Sequence, residues 1–323
     1  MTRIRAVGTL PLSITDEHEV LTSDSKTSFW FPASKVVPRE NYLMIPRIKG
    51  TLDYPLLDLS PYTTKPNIVT GKGYPMDFPL NFDSSWLVGL YLAEGSVQEE
   101  GIRFSLGRHE KDLAKRLVEV IQSLGYKGGM SGRGSTVKVK LDSRVLGRAF
   151  RSLCGDSCYN KAVPHFILDH KDLKLSEGLL KGYLEGDGYT GDRYISAPTA
   201  SKRLALSLQL LAARPGILLK VYYYPARGWR KVQGRNVFSH ERWHLHAQDR
   251  KLFKIMGLDR KVGLYLSRIC WPDYILTPVT EVGCEPYSGE VWNLGTTDQT
   301  YLASNLVVHN CQKRLYKLKQ ASA

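Results

Sequence analysis

The stretch LVGLYLAEG at residues 87–95 returns in altered form as LKGYLEGDG at residues 180–188, with Glu94 and Asp187 at matching places. Both are apolar at helical spacing. Gly89 and Ala93 stand four apart, as do Gly182 and Gly186, so each helix carries a stripe of small residues one turn long. Two such stripes facing each other let the backbones approach closely, which sets Glu94 and Asp187 side by side at the helix C-termini. That placement is unfavourable by itself, because a helix C-terminus carries partial negative charge and neighbouring carboxylates repel. A divalent cation removes both objections. Mg²⁺ takes oxygen ligands, keeps several waters, and binds carboxylates together with phosphate oxygens. Such ions also generate hydroxide at neutral pH and stabilise the attacking and leaving oxygens of a phosphodiester. The bland alternative, two solvated terminal acids, suits a single motif better than a matched pair in a basic chain.

Outward from these helices the pattern repeats. The first is followed by a hairpin (EEGIRFSLG), a helix (HEKDLAKRLVEVIQSLGY) and a second hairpin (GGMSGRGSTVKVKLD). The second is followed by GDRYISAPT, a helix (SKRLALSLQLLAARPG) and the strands ILLKVYYYP and RWHLHA. Asp83 or Ser84 and Ser176 are the candidate N-caps. Residues 1–80 and 277–310 have β texture instead, and a Pro-rich loop (DYPLLDLSPYTTKPN, then GKGYPMDFPLNF) reads as a boundary. The expected architecture is an α+β duplicated domain at 81–276, with halves 84–168 and 169–276, inserted into an all-β domain split in sequence.

Charge narrows the function. Lys and Arg number 45 against 31 Asp and Glu, a net +14, and such an excess favours polyanions because each neutralised phosphate releases counterions. No apolar run approaches the length of a membrane span, no basic amphipathic helix stands out, and the start lacks a secretory signal. A cytoplasmic protein with reduced cysteines is expected, and five cysteines do not suit a disulfide framework.

Both nonamers resemble the two motifs of LAGLIDADG homing endonucleases, with Glu94 and Asp187 at the metal-binding acid position. The resemblance covers about 84–275 and implies a monomer of two αββαββα units related by an internal pseudo-two-fold axis. It implies a four-stranded sheet from each unit laid along the major groove of a long double-stranded DNA site, with Mg²⁺ or another divalent cation as cofactor. NKAVPHFI (160–167) is similar to the family's basic block before the second motif, which makes Lys161 a candidate for polarising the attacking water; a solvated surface lysine is the competing reading. Arg103, Lys138, Lys140, Arg227, Arg230 and Lys231, on the hairpins, are candidates for phosphate or base contacts.

The tail SGEVWNLGTTDQTYLASNLVVHNC (288–311) resembles the C-terminal splicing blocks of inteins, whose Hint domain often carries this endonuclease as an insertion. The likeness implies that Asn310 cyclises and cuts its bond to Cys311. His309 would then protonate the departing amine, a task suited to a group titrating near neutrality. Cys311 would begin the downstream host segment, a C-extein or tail at 311–323. ITDEHEV (14–20) resembles the TxxH block, placing Thr15 and His18 against an upstream scissile peptide. No Cys or Ser nucleophile block precedes it, which leaves two readings: a split intein that needs an N-terminal intein fragment in trans, the one expected here, or a sequence truncated at an internal Met. Asn293 and Gln299 stand near places where the family usually has an Asp and a His. The competing readings are a free-standing endonuclease with a decayed splicing domain, and a DNA-binding protein that no longer cleaves.

HERWH (240–244) fits a zinc-protease pattern only on a helix, and VFSHERWHLHA alternates like a strand, setting its histidines about 13 Å apart. Cys154, Cys158, Cys270 and Cys284 match no standard zinc finger and are expected to be buried thiols.

Overall fold

The two quoted stretches form helices that pack directly on each other within the core of the duplicated body. The computed structural model describes residues 1–63, 75–232, 234–260, 269–291 and 294–310. The chain opens with β1 (Thr2–Ala6), β2 (Leu12–Ile14), β3 (Glu19–Ser23), β4 (Ser28–Pro32) and β5 (Tyr42–Pro46), then a short pair, β6 (Leu56–Asp58) and β7 (Asp77–Pro79). The first half follows as α1 (Phe82–Glu94), β8 (Gly95–Gln98), β9 (Gly101–Gly107), α2 (Lys111–Ser123), β10 (Gly128–Arg133), β11 (Thr136–Leu141) and α3 (Arg144–Cys154). A turn of helix, α4 (His165–Leu168), leads to the second half: α5 (Leu173–Asp187), β12 (Tyr189–Thr190), β13 (Ile195–Thr199), α6 (Lys202–Ala213) and β14 (Lys220–Tyr224). It continues with β15 (Gly228–Val232), β16 (Arg235–Ser239), β17 (Arg242–Ala247) and α7 (Arg250–Ile255). The chain closes with β18 (Ile269–Cys270), β19 (Tyr274–Cys284), β20 (Thr300–Ala303) and β21 (Leu306–His309).

The halves build matching antiparallel sheets, ordered β10-β11-β9-β8 and β14-β17-β13-β12. Strict alternation in TVKVKL and RWHLHA buries Val137, Val139, Leu141, Trp243, Leu245 and Ala247 against the helices and turns the intervening residues outward. Each buried large apolar side chain contributes about 1.5–3 kcal/mol. The helix α3 was not singled out in the sequence. It closes the first half as the αββαββα pattern requires, capped by the Ser143 hydroxyl.

A third sheet of nine strands joins the ends of the chain. Its order is β2-β1-β19-β5-β3-β21-β20, with β4 on β3 and β18 on β19. The long strand β19 pairs with both β1 and β5, so residues far apart in sequence share one ladder, Thr2 opposite Cys284 and Leu43 opposite Thr277. The duplicated body therefore lies between two sequence segments of one sheet. The sheet's core residues Ile4, Val20, Leu43, Ile45 and Val279 pack with Leu210 and Ala213 of α6. Arg214, only 2% exposed, donates to the carbonyls of Ile48, Ile167 and His170 and to the Ser176 hydroxyl, clamping the two parts.

Several local expectations are corrected. Leu59, Phe78 and Leu80 join the core of the duplicated body, so the segment from β6 to β7 packs there rather than on the β-rich sheet as the 1–80 boundary implied. Asn81 caps α1 in a reciprocal box with Ser84, and Asp172 caps α5, because both helices begin earlier than their apolar runs. Ser176 is consequently inside α5. Of the cysteines expected to be buried, only Cys154 is; Cys158, Cys270 and Cys284 are exposed free thiols. Among the described residues no helix is long and apolar enough to cross a membrane.

Candidate functional site

The small-residue stripes meet. A Cβ added at Gly89 would fall on the Leu179 carbonyl, and one at Gly182 on the Trp86 carbonyl. One at Gly186 would lie 2.5 Å from the Ala93 methyl and 3.2 Å from Glu94 Cγ. Main chain rests on main chain, and the C-terminal ends of α1 and α5 deliver Glu94 and Asp187 to one place. Burial, then the Asp187 charge, raises the Glu94 carboxyl to about 7, with Glu110 adding to the effect and Lys161 opposing it. Asp187 is raised by burial too. Glu110, not singled out in the sequence, adds negative field at both acids while accepting the Gly107 N–H at 2.5 Å.

Lys161 is not a solvated surface lysine. It is 5% exposed, and its ammonium donates to the carbonyls of Tyr91, Leu92 and Gly95 at 2.8, 3.1 and 2.8 Å, lying 4.9 Å from the Tyr91 ring centroid. All three of its protons therefore serve the C-terminal carbonyls of α1, and desolvation lowers its pKa. A second bridge holds the halves together: Glu185 of α5 accepts from Trp86 Nε1 of α1 at 2.5 Å and from Arg116 of α2, whose guanidinium sits 4.3 Å from the Trp86 ring.

The donor set at the crossing is hard oxygen, and like charges crowd it at two helix C-termini, which fits a Mg²⁺-type cation. No group of three or more His, Cys, Asp or Glu able to hold a metal occurs among the described residues. The HERWH residues His240 and His244 do not converge: His244 is on β17, and His240 meets Tyr159 edge-on and Phe238 at a tilt instead.

The hairpin cations divide. On the first sheet Arg103 pairs with Glu100 and Asp142, and Lys140 also reaches Asp142 at 3.2 Å, while Lys138 stands exposed without a carboxylate partner among the described residues. In the second half Arg227, Arg230 and Lys231 are exposed on an arm of two strands, β15 paired with β16, where one hairpin was expected. The turn glycine Gly234, at φ +79°, was its available signal. Arg230, Phe238, His240 and Arg242 of this region line a cavity of about 360 Å³ that Asp187 and Lys161 also line.

At the other end, Asn310 is 2% exposed and follows β21. Its N–H donates to the Gln299 carbonyl at 2.8 Å, its Nδ2 to Thr296 at 3.4 Å, and His309 Nδ1 lies 2.6 Å from the Asn310 carbonyl oxygen. Asn310 Oδ1 is buried with no hydrogen-bond partner among the described residues. The Trp30 ring meets His309 edge-on at 5.1 Å. His18, 7% exposed, is pushed below its usual pKa by burial, against the effect of a hydrogen bond to the His309 backbone. The Tyr301 hydroxyl lies 3.4 Å from its Nε2, and the Thr15 carbonyl accepts the His18 N–H at 3.0 Å. Thus His18, His309 and Asn310 are neighbours. Tyr301, Trp30 and Thr296 complete the surroundings and carried no signal of their own. Asn293 and Cys311 lie outside the described residues.

Residues 175–250 match the family described as LAGLIDADG-like domain. The ATP-dependent DNA helicase Hel308 of Thermococcus kodakarensis is 26% identical over 95% of this chain and 31% of that protein. The replication factor C small subunit of Methanocaldococcus jannaschii is 26% identical over 67% of this chain and 12% of that protein. The iron-sulfur cluster assembly SufBD family protein Rv1461 of Mycobacterium tuberculosis is 26% identical over 74% of this chain and 28% of that protein. The chain spans about a third or less of the length of these curated relatives. Among solved structures, the homing endonuclease I-DmoI in complex with DNA and Mn is similar at a TM-score of 0.39 and 13% identity, over 57% of this chain and 98% of that one. Full-length DUF199/WhiA from Thermatoga maritima is similar at 0.38 and 12%, over 60% and 59%.

Proposed function

We propose that the chain is an intein-type inserted element: the duplicated body is a site-specific, divalent-cation-dependent DNA endonuclease, and the nine-stranded sheet is a splicing domain that releases its C-terminal side by Asn310 cyclisation. The observation that carries the nuclease reading is the delivery of Glu94 and Asp187 to one point by two helices in main-chain contact. Glu94 and Asp187 would hold the cation, which when bound supplies hydroxide at neutral pH and charge for the leaving oxygen. Lys161 acts as a positioning residue that holds the end of α1 and keeps positive charge beside the acids. Lys138, Arg227, Arg230 and Lys231 supply cationic contacts to the DNA backbone or bases.

In the tail, the Asn310 side-chain nitrogen attacks its own carbonyl carbon. A succinimide forms, the C–N bond to Cys311 breaks, and the proton shed by the attacking side-chain nitrogen leaves on the departing amine. His309 donating to the Asn310 carbonyl oxygen draws electron density from the carbon under attack. Thr15 and His18 serve the upstream junction. The matched relatives support the insertion reading: a helicase, a replication factor subunit and an iron-sulfur assembly protein share no activity by name, so a segment common to them is one that travels between hosts.

Glu94→Gln or Asp187→Asn is expected to slow cleavage of a bound duplex by roughly 10³-fold, about 4 kcal/mol of barrier, and to leave salt-sensitive binding intact. Wild-type protein that binds but never cuts with Mg²⁺ or Mn²⁺ would assign the chain to the non-cleaving class. For the tail, Asn310→Ala is expected to abolish the 311–323 peptide in mass spectra of protein supplied with its upstream segment. Release of that peptide from the variant excludes cyclisation.

A further inference from the structure

We infer that the two halves read chemically different half-sites, the second one through thymine methyl groups in an A·T-rich stretch; this rests on the DNA-binding reading above. The matched sheets allow comparison row by row. On the open face of the first sheet, Ser131, Lys138 and Ser105 form one cross-strand row. The corresponding row of the second sheet is Tyr222, His244 and Pro198. In the next row, Ser96 and Arg103 of the first sheet give way to Tyr189 and Ser196, and Lys140 to His246. Rings stand in place of Ser131, Lys138, Lys140 and Ser96, while Arg103 becomes the hydroxyl of Ser196 and Gly129 becomes Lys220, a cation on the edge strand β14.

These rings are organised and uncovered. Tyr194 stacks on His246 at 4.9 Å and 25°, and Tyr224 lies 4.8 Å from His244 with the Arg242 guanidinium 5.5 Å from its ring. Tyr189 is 61% and Tyr222 41% exposed, whereas Met130 is the one large hydrophobic exposed to that degree among the described residues of the first half's strands. An apolar face of this kind calls for an occupant. The occupant that fits is duplex DNA: Arg230, Lys231 and Arg242 border the face, and Phe238 carries it into the cavity shared with Asp187. Ring carbons have one apolar feature to meet on a major-groove edge, the thymine C5-methyl, and tyrosine and histidine lack the forked donors with which Arg grips guanine. Lys138, on the first sheet, meets guanine acceptors or phosphates.

The test uses the full chain. Duplexes are selected from a random pool in Ca²⁺, and in the best one thymine is replaced by deoxyuridine, one half-site at a time, which removes only the methyls. Each methyl lost under the second sheet is expected to weaken binding about 4-fold, so that two cost on the order of 10-fold, against little change in the other half-site. Tyr222→Ala with His244→Ala should erase that penalty, which identifies the half-site concerned. Equal penalties in the two half-sites, or a penalty that survives the double substitution, overturn the inference while leaving DNA binding standing. A pool from which no duplex is retained overturns the DNA-binding reading itself.

Discussion

At the crossing of α1 and α5 the acids are positioned by main chain, because Gly89 and Gly182 admit a carbonyl oxygen where any side chain would stand. Asn310 is positioned by one hairpin, its neighbours His18, Trp30 and Gln299 arriving from just before β3, from β4 and from just before β20 as single side chains or single hydrogen bonds. The first site is over-determined, with the Glu185–Trp86 bond and the Lys161 cap repeating what the crossing already imposes. The second depends on few contacts. A site set by backbone contact is lost as a unit when the contact is opened, whereas a site hung on a hairpin loses rate by degrees.

The strongest way to break this contrast is to open the crossing. Gly182→Val places branched carbons against the Trp86 carbonyl, and overpacking of this kind costs typically about 1–3 kcal/mol, more where backbone is the obstacle. The melting temperature should drop sharply, and DNA cleavage should vanish even at temperatures where the protein stays folded. Retained cleavage with unchanged stability would mean that the helices do not need main-chain contact.

A smaller effect sharpens the electrostatic side. The Glu94 carboxyl is held at about 7 in the folded protein against 4.5 for its ordinary value. Between those values the folded state keeps a proton that the unfolded chain has released, so unfolding releases protons and stability falls as pH rises. Metal-free protein should therefore melt several degrees lower at about pH 8 than at about pH 5, relative to Glu94→Gln measured alongside. Mg²⁺ or Mn²⁺ should restore most of the difference at the higher pH and little at the lower, since the cation needs the ionised pair. Parallel curves for wild type and variant would separate Glu94 from any strained charge.

What could be read in advance follows the same division. The helix pair was legible because its signals are local: glycine and alanine four apart, acids at matching places, and a sheet pattern that repeats. The role of Lys161 was not, since its partners Tyr91, Leu92 and Gly95 are 70, 69 and 66 residues away and only folding makes it buried. The caps were misplaced for a related reason. Asn81 and Asp172 precede the apolar runs, so hydrophobic periodicity alone starts each helix too late. Residue types at the tail suggested its chemistry, but Tyr301, Trp30 and Thr296 reach it through strand pairing that spans the chain. Likewise, nothing local in β1 announces β19 as its partner.

The least disruptive substitution bears on whether the two sites are linked. The turn between β20 and β21 has Asn305 at φ +64°, where Asn and Gly are the favoured residues. Its Nδ2 donates to the Leu206 carbonyl at 2.8 Å and to Gln209 Oε1 at 2.9 Å, fixing the hairpin that carries Asn310 to helix α6 of the duplicated body. Asn305→Gly keeps the backbone conformation and removes both bonds, a loss of about 1–2 kcal/mol. If α6 steadies the Asn310 peptide, release of the C-terminal segment should slow a few-fold while DNA cleavage keeps its rate. Asn305→Ala adds strain at the positive φ and should slow release further. Equal slowing of both reactions would instead mean that the sheet and the duplicated body move as one piece, so that the hairpin's hold on α6 serves the nuclease as much as the tail.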